Sequence, residues 1–175
     1  MTMTTPTIDF AALWDEALTW DAFVASARDN VDLWLGLHEL ARVPEDFVAE
    51  AVAKGPRRLL VIAEDWCGDA SSTVPVLVKF AEATPGLELR IIKRDANPDI
   101  MNQYLTNGTR SIPVVIVLTP DFEETGWWGP RPTELQEWFR KNRDSVPGAE
   151  RTRHSRGWYA RDKGRSTVRE VLERF

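Results

Sequence analysis

Cys67 is the only cysteine among 175 residues. It lies between a short apolar run, residues 59–63, and a stretch of helical spacing, residues 74–83. At such a strand-to-helix junction the sulfur faces unpaired backbone N–H groups and the positive end of a helix dipole, and both favour thiolate over thiol. A free thiol titrates near about 8.5, and a helix N-terminus lowers that value. Asp69, two residues on, works in the opposite direction, because a carboxylate disfavours a neighbouring thiolate. The expectation is a partly accessible Cys67 whose thiolate is less favoured than the dipole alone dictates, yet which still titrates below a free thiol. The other reading of a lone cysteine is a buried, inert core residue.

A single cysteine excludes an internal disulfide and an all-cysteine metal cage. His38 and His154 have no Cys or His partner at ligand spacing, so neither a metal nor a cofactor is expected. The net charge of -5 argues against general nucleic-acid binding, which depends on neutralising phosphates. Residues 151–175 hold eight Lys or Arg against three acids, so the body before them is the strongly acidic part. A basic tail of this kind is expected to lie solvated or to fold back on the acidic body, with an anionic ligand site as the lesser reading. Residues 1–10 carry no basic segment followed by an apolar run, and no stretch reaches the roughly 18 apolar residues of a membrane span. The expectation is a cytoplasmic protein that does not engage a membrane.

The elements that must position Cys67 can be read from periodicity. Residues 8–54 repeat apolar side chains at helical spacing, including Trp14, Trp34, Leu37 and Ala41, and predict two or three amphipathic helices followed by another over 45–54 that Gly55-Pro56 stops. Trp14, Trp20 and Trp34 are read as core. After Arg58 the continuous run 59–63 suits a strand buried on both faces. Strands are predicted over 87–93, 112–118 and 122–128, and helices over 98–105 and 133–141. Residues 119–121 are too few for anything but an antiparallel hairpin between the last two strands. The order β-α-β-α-β-β-α gives an α/β fold with a mixed central sheet flanked by helices. Residues 144–165 show little periodicity and read as irregular, followed by a helix over 167–175 capped by Ser166, whose Val168, Val171, Leu172 and Phe175 form a docking stripe.

Two strings make the pattern specific. Ala63-Glu64-Asp65-Trp66-Cys67-Gly68-Asp69-Ala70 resembles the Trp-Cys-Gly-x-Cys motif of thioredoxins, and Gly108-Thr109-Arg110-Ser111-Ile112-Pro113-Val114 resembles the segment that carries that family's cis proline. Arg94-Asp95-Ala96-Asn97-Pro98 and Trp128-Gly129-Pro130 resemble its next strand end and its last strand-to-helix turn. The resemblance covers about half the chain. It implies a thioredoxin fold over 56–143, with an N-terminal helical extension over 1–55 packed on the core and a basic tail over 144–175 ending in a short helix.

The departures limit what the resemblance implies. The second cysteine of the motif falls on Ala70, and the buried carboxylate that assists it falls on Val61. A dithiol reductase is excluded. What the resemblance leaves is attack by Cys67 on a disulfide and a mixed disulfide that an external thiol must resolve. Trp66, Gly68, Asp69, Ile112, Pro113, Trp128 and Gly129 are the expected substrate-binding residues, with Pro113 turning Ile112 toward the substrate and Trp66, Trp128 and Gly129 forming a flat rim. The two aromatics Trp127 and Trp128 read equally as one inward and one covered. The expected partners are protein disulfides or a low-molecular-weight thiol. The alternative is a redox-inactive binding protein that keeps the groove. An iron–sulfur role is disfavoured because Asp69-Ala70 stands where monothiol glutaredoxins have Phe-Ser.

Overall fold

The computed structural model describes residues 7–175, so the first six residues of the expected 1–55 extension lie outside the described residues. Strand β1 (Arg57–Ala63) runs parallel to β2 (Leu87–Lys93), with Val61 beside Ile91. Helix α5 (Gly68–Ala83) makes the crossover that a parallel pair requires. A one-turn helix, α6 (Pro98–Met101), follows β2. Strand β3 (Val114–Leu118) pairs antiparallel with β1, and β4 (Glu124–Trp128) closes a hairpin with β3, giving the sheet order β2-β1-β3-β4. Helix α7 (Thr133–Asn142) follows. The chain therefore has the mixed sheet flanked by helices that its sequence predicts.

The period of two along each strand divides the core into two layers. On one face Leu59, Val61, Ile91, Val115 and Val117 meet Leu77 and Phe80 of α5; on the other, Leu60, Ile62, Val114 and Ile116 meet Trp14, Met101 and Tyr104. Both faces being covered, residues 59–62 need no polar alternate, and each is fully buried. Burying such aliphatic side chains contributes about 1.5–3 kcal/mol apiece, which anchors the strand that leads into Cys67.

Among the described residues, four helices precede β1: α1 (Phe10–Glu16), α2 (Trp20–Ser26), α3 (Val31–Leu40) and α4 (Glu45–Lys54). Asp9 and Thr19 cap the first two by accepting from the N–H groups of Ala12 and Ala22. Between them Leu18 exchanges two backbone hydrogen bonds of 2.8 Å with Ile91, so the extension covers part of the sheet edge at β2. Trp34, read as core, packs in it against Phe23 at a ring separation of 4.8 Å. Gly55, with φ of 97°, ends α4 where a side chain would be strained.

Residues 144–165 depart from the expectation of irregular structure, because α8 (Gly148–Asp162) fills most of that segment. Its helix is carried by aromatic contacts rather than an apolar stripe. His154 stacks on Trp138 at 3.6 Å, Trp158 Nε1 donates to Glu134, and Trp158 and Tyr159 bury against Leu135 of α7. The last helix, α9 (Arg165–Leu172), begins two residues earlier than expected. Ser166 does not cap it; its N–H and hydroxyl donate to Asp162 instead. Val168, Val171 and Leu172 are buried in the core, and Arg169 pairs with Glu50 at 2.8 Å, so the basic tail folds back on the acidic body. The other differences are local. β3 starts at Val114 because Pro113 has no N–H to give the ladder, and β4 starts at Glu124 because Phe122 turns left-handed, with φ of 64°.

Candidate functional site

Cys67 is the N-cap residue of α5, with the extended backbone that a cap requires. Its sulfur takes the place of a capping oxygen, accepting from the Ala70 N–H at 3.5 Å, while its S–H faces the Ile112 carbonyl oxygen at 3.5 Å. The sulfur is half-buried, and burial pushes the thiol above its ordinary value. The Ala70 N–H opposes this, the Asp69 carboxylate adds to it, and the Arg131 guanidinium opposes it again. The net direction is upward. The expected titration below a free thiol is thus corrected in direction: desolvation together with the Asp69 carboxylate outweighs the backbone N–H donors at the cap and Arg131.

Two buried carboxylates hold the loop that presents Cys67. Asp65 Oδ2 accepts from the N–H groups of Arg28 and Asp29 at 2.7 and 3.2 Å, and the Asp65 carbonyl accepts from Trp34 Nε1 at 2.9 Å. Burial alone would raise Asp65, but the Arg28 and Asp29 N–H groups and Lys93 together hold its carboxyl below the ordinary range. Glu64 accepts from the Asp95 N–H at 3.0 Å, tying the loop to the turn after β2.

Asp69 is the hub of the site. Its Oδ2 pairs with Arg131 Nη2 at 2.8 Å, and its Oδ1 accepts from the Tyr159 hydroxyl at 2.9 Å. Arg131 in turn donates to Gln136 at 2.9 Å and lies over the Phe139 ring at 3.9 Å. Burial, and then the Asp69 charge, raises the Tyr159 hydroxyl far above its ordinary value, so it remains a donor. Helix α8 thereby reaches the start of α5.

The surface beside Cys67 is an open cleft of about 420 Å³. Trp66, Asp69 and Ile112 line it with Cys67, and Trp66 is 47% exposed, suiting it to a rim. Gly68 is exposed at the start of α5. The Ile112–Pro113 and Gly129–Pro130 peptides are both cis, and Pro113 is buried. Gly129, with φ of 137°, backs onto Pro113 so closely that a Cβ there would collide with the Pro113 oxygen. Trp128 does not form a rim. It is 2% exposed, pairs with Val115 in the sheet and belongs to the core, because its place on β4 points it beneath α9.

Among the residues at the site that lie outside the sequence-based set, the charged and hydrogen-bonding ones are Arg94, Arg110, Arg131 and Tyr159, in that order along the chain. The first two stand within strings that the motifs had already marked, and Arg131 directly follows Trp128-Gly129-Pro130. Tyr159 had no signal, since it falls in the segment without periodicity.

The family model described as thioredoxin matches residues 17–145. The match takes in α2, α3 and α4, which the motifs alone leave outside the resemblance. A crystal structure of a protein of unknown function from Pseudomonas aeruginosa is 22% identical, with a TM-score of 0.77 over 96% of this chain and 97% of that one. An HIV epitope-scaffold is 22% identical, with a TM-score of 0.73 over 95% and 97%. These likenesses bear on the fold. No curated protein matches the chain. Among the described residues, no helix is long and apolar enough to cross a membrane.

Proposed function

We propose that this chain, which belongs to the thioredoxin family, is a monothiol protein that exchanges disulfides through Cys67. The carrying observation is the position of the sulfur: it caps α5 at the edge of a cleft, between the Ala70 N–H and the Ile112 carbonyl. The Cys67 thiolate attacks the small-thiol sulfur of a protein mixed disulfide, and the protein leaves as its thiolate with the electron pair. A second small thiolate then attacks that sulfur, leaving a small-molecule disulfide and restoring Cys67. No second protein thiol enters, in keeping with Ala70, which is fully buried where a resolving cysteine would stand. Trp66, Gly68, Asp69 and Ile112 shape the approach, and Pro113 with Gly129 fixes the backbone behind it. The small thiols of the cytoplasm would supply the resolving step.

Oxidised glutathione tests this reading. The intact mass should gain one glutathionyl group on the native protein and none on Cys67→Ser, and excess reduced glutathione should remove it. Absence of the adduct sinks the exchange reading. A specific observation favours a second one: the Cys67 sulfur is half-buried with its S–H toward the Ile112 carbonyl, which suits a binding protein that keeps the cleft without turnover.

A further inference from the structure

On the footing of that exchange reaction, we propose that the cleft selects a small thiol or disulfide bearing carboxylates, with Arg110 as its principal anion contact and Arg94 as the second. The charge of the lining carries this inference. In a molecule of net charge -5, the cleft is lined by three guanidinium groups, Arg94, Arg110 and Arg131, against the single carboxylate of Asp69. Arg131 is already committed to Asp69, and Arg94 to the adjacent Asp95 at 2.9 Å. Arg110 donates only to the neutral Asn102 side chain, at 2.9 Å, and among the described residues it takes part in no ion pair. Its charge is therefore free to meet an anion, and a guanidinium fork matches a carboxylate in two places.

The geometry places that charge where a Cys67 adduct would lie. Arg94 bridges the two walls, its guanidinium 4.9 Å from the Trp66 ring centre while Nη1 donates to the Arg110 carbonyl at 3.2 Å. Arg110 precedes Ser111 and Ile112, whose carbonyl faces the Cys67 sulfur. The cleft volume of about 420 Å³ is that of a small-molecule site. Thr109 and Ser111 add hydroxyls, 2.9 Å apart, on the same segment. A bound thiol would thus have its sulfur at Cys67, its stem along Trp66 and its carboxylates toward Arg110 and Arg94. In the exchange, Cys67 forms one S–S bond as the other breaks, and the departing thiolate carries the electron pair away.

The test compares rates of Cys67 adduct formation by oxidised glutathione, which is anionic, and hydroxyethyl disulfide, which is neutral. The urea-unfolded chain supplies the intrinsic ratio, and near-ultraviolet circular dichroism confirms that each variant is folded. The native protein should favour the anionic disulfide by about ten-fold over the unfolded ratio, and salt should erode this preference. Arg110→Gln should abolish most of it, Arg110→Lys should retain part, and Arg94→Gln should reduce it. A native ratio equal to the unfolded one, or a preference untouched in Arg110→Gln, overturns the anion site while leaving disulfide exchange intact. No adduct from either disulfide overturns both.

Discussion

At the residue scale, burial does most to raise the Cys67 thiol, and Asp69 adds to it. The carboxylate opposes thiolate formation, and Arg131 and Tyr159 fix it in place. Asp69→Asn removes the charge, so the midpoint of Cys67 alkylation against pH should move to lower pH. The same substitution weakens a partly buried ionic hydrogen-bond pair and should lower unfolding free energy by about 1–3 kcal/mol in urea titration. A midpoint that stays in place would mean that burial alone sets the thiol. Ala70→Cys addresses the missing resolving thiol. Its N–H already meets the Cys67 sulfur, so the variant should acquire a disulfide that dithiothreitol reduces, measured by thiol counting. A folded variant that resists oxidation would show that the turn holds the sulfurs apart.

At the element scale, the loop after β1 is clamped by helices far back in the chain. Asp65→Ala leaves the N–H groups of Arg28 and Asp29 without their acceptor and should cost about 2–4 kcal/mol in urea unfolding. The sign with pH follows from the lowered carboxyl. Its stabilisation is present above the unfolded value of about 3.9 and is lost as pH falls through the folded value, so the variant should show a flatter acid limb than the parent. Equal acid limbs would remove Asp65 from the clamp. The strands, α5 and the position of Cys67 were legible in sequence because apolar runs and a strand-to-helix change report local rules. The cationic lining was not, since Arg94, Arg110 and Arg131 come from separate loops and meet only after the sheet orders them. Trp128 misled for a related reason: its neighbours in sequence are those of a rim, but α9 covers it. Helix α8 escaped notice because Trp158 and Tyr159 carry its packing in place of a stripe.

At the scale of the whole molecule, the basic tail is part of the core rather than an appendage. Leu172 is fully buried against the sheet layer that contains α5, so Leu172→Ala should cost about 2–5 kcal/mol, read as a lowered thermal midpoint. An unchanged midpoint would mean that α9 is not integral to stability. Alkaline stability has a sign as well. Cys67 and Tyr159 are raised in the folded state, chiefly by burial, so their stabilisation is complete below the unfolded values and is lost as pH rises above them. Urea midpoints should therefore fall from about pH 9 upward, and Tyr159→Phe should make that fall shallower.

The contact between Tyr159 and Asp69 also sets a schedule. The two residues are 90 positions apart. At about 5–20 residues per second, Tyr159 is added to the chain roughly 5–18 seconds after Asp69. During that interval the nascent chain holds Cys67 without the Tyr159 hydroxyl that helps to fix the Asp69 carboxylate. An oxidant or electrophile present during synthesis therefore meets Cys67 in a different electrostatic setting from the one in the finished protein.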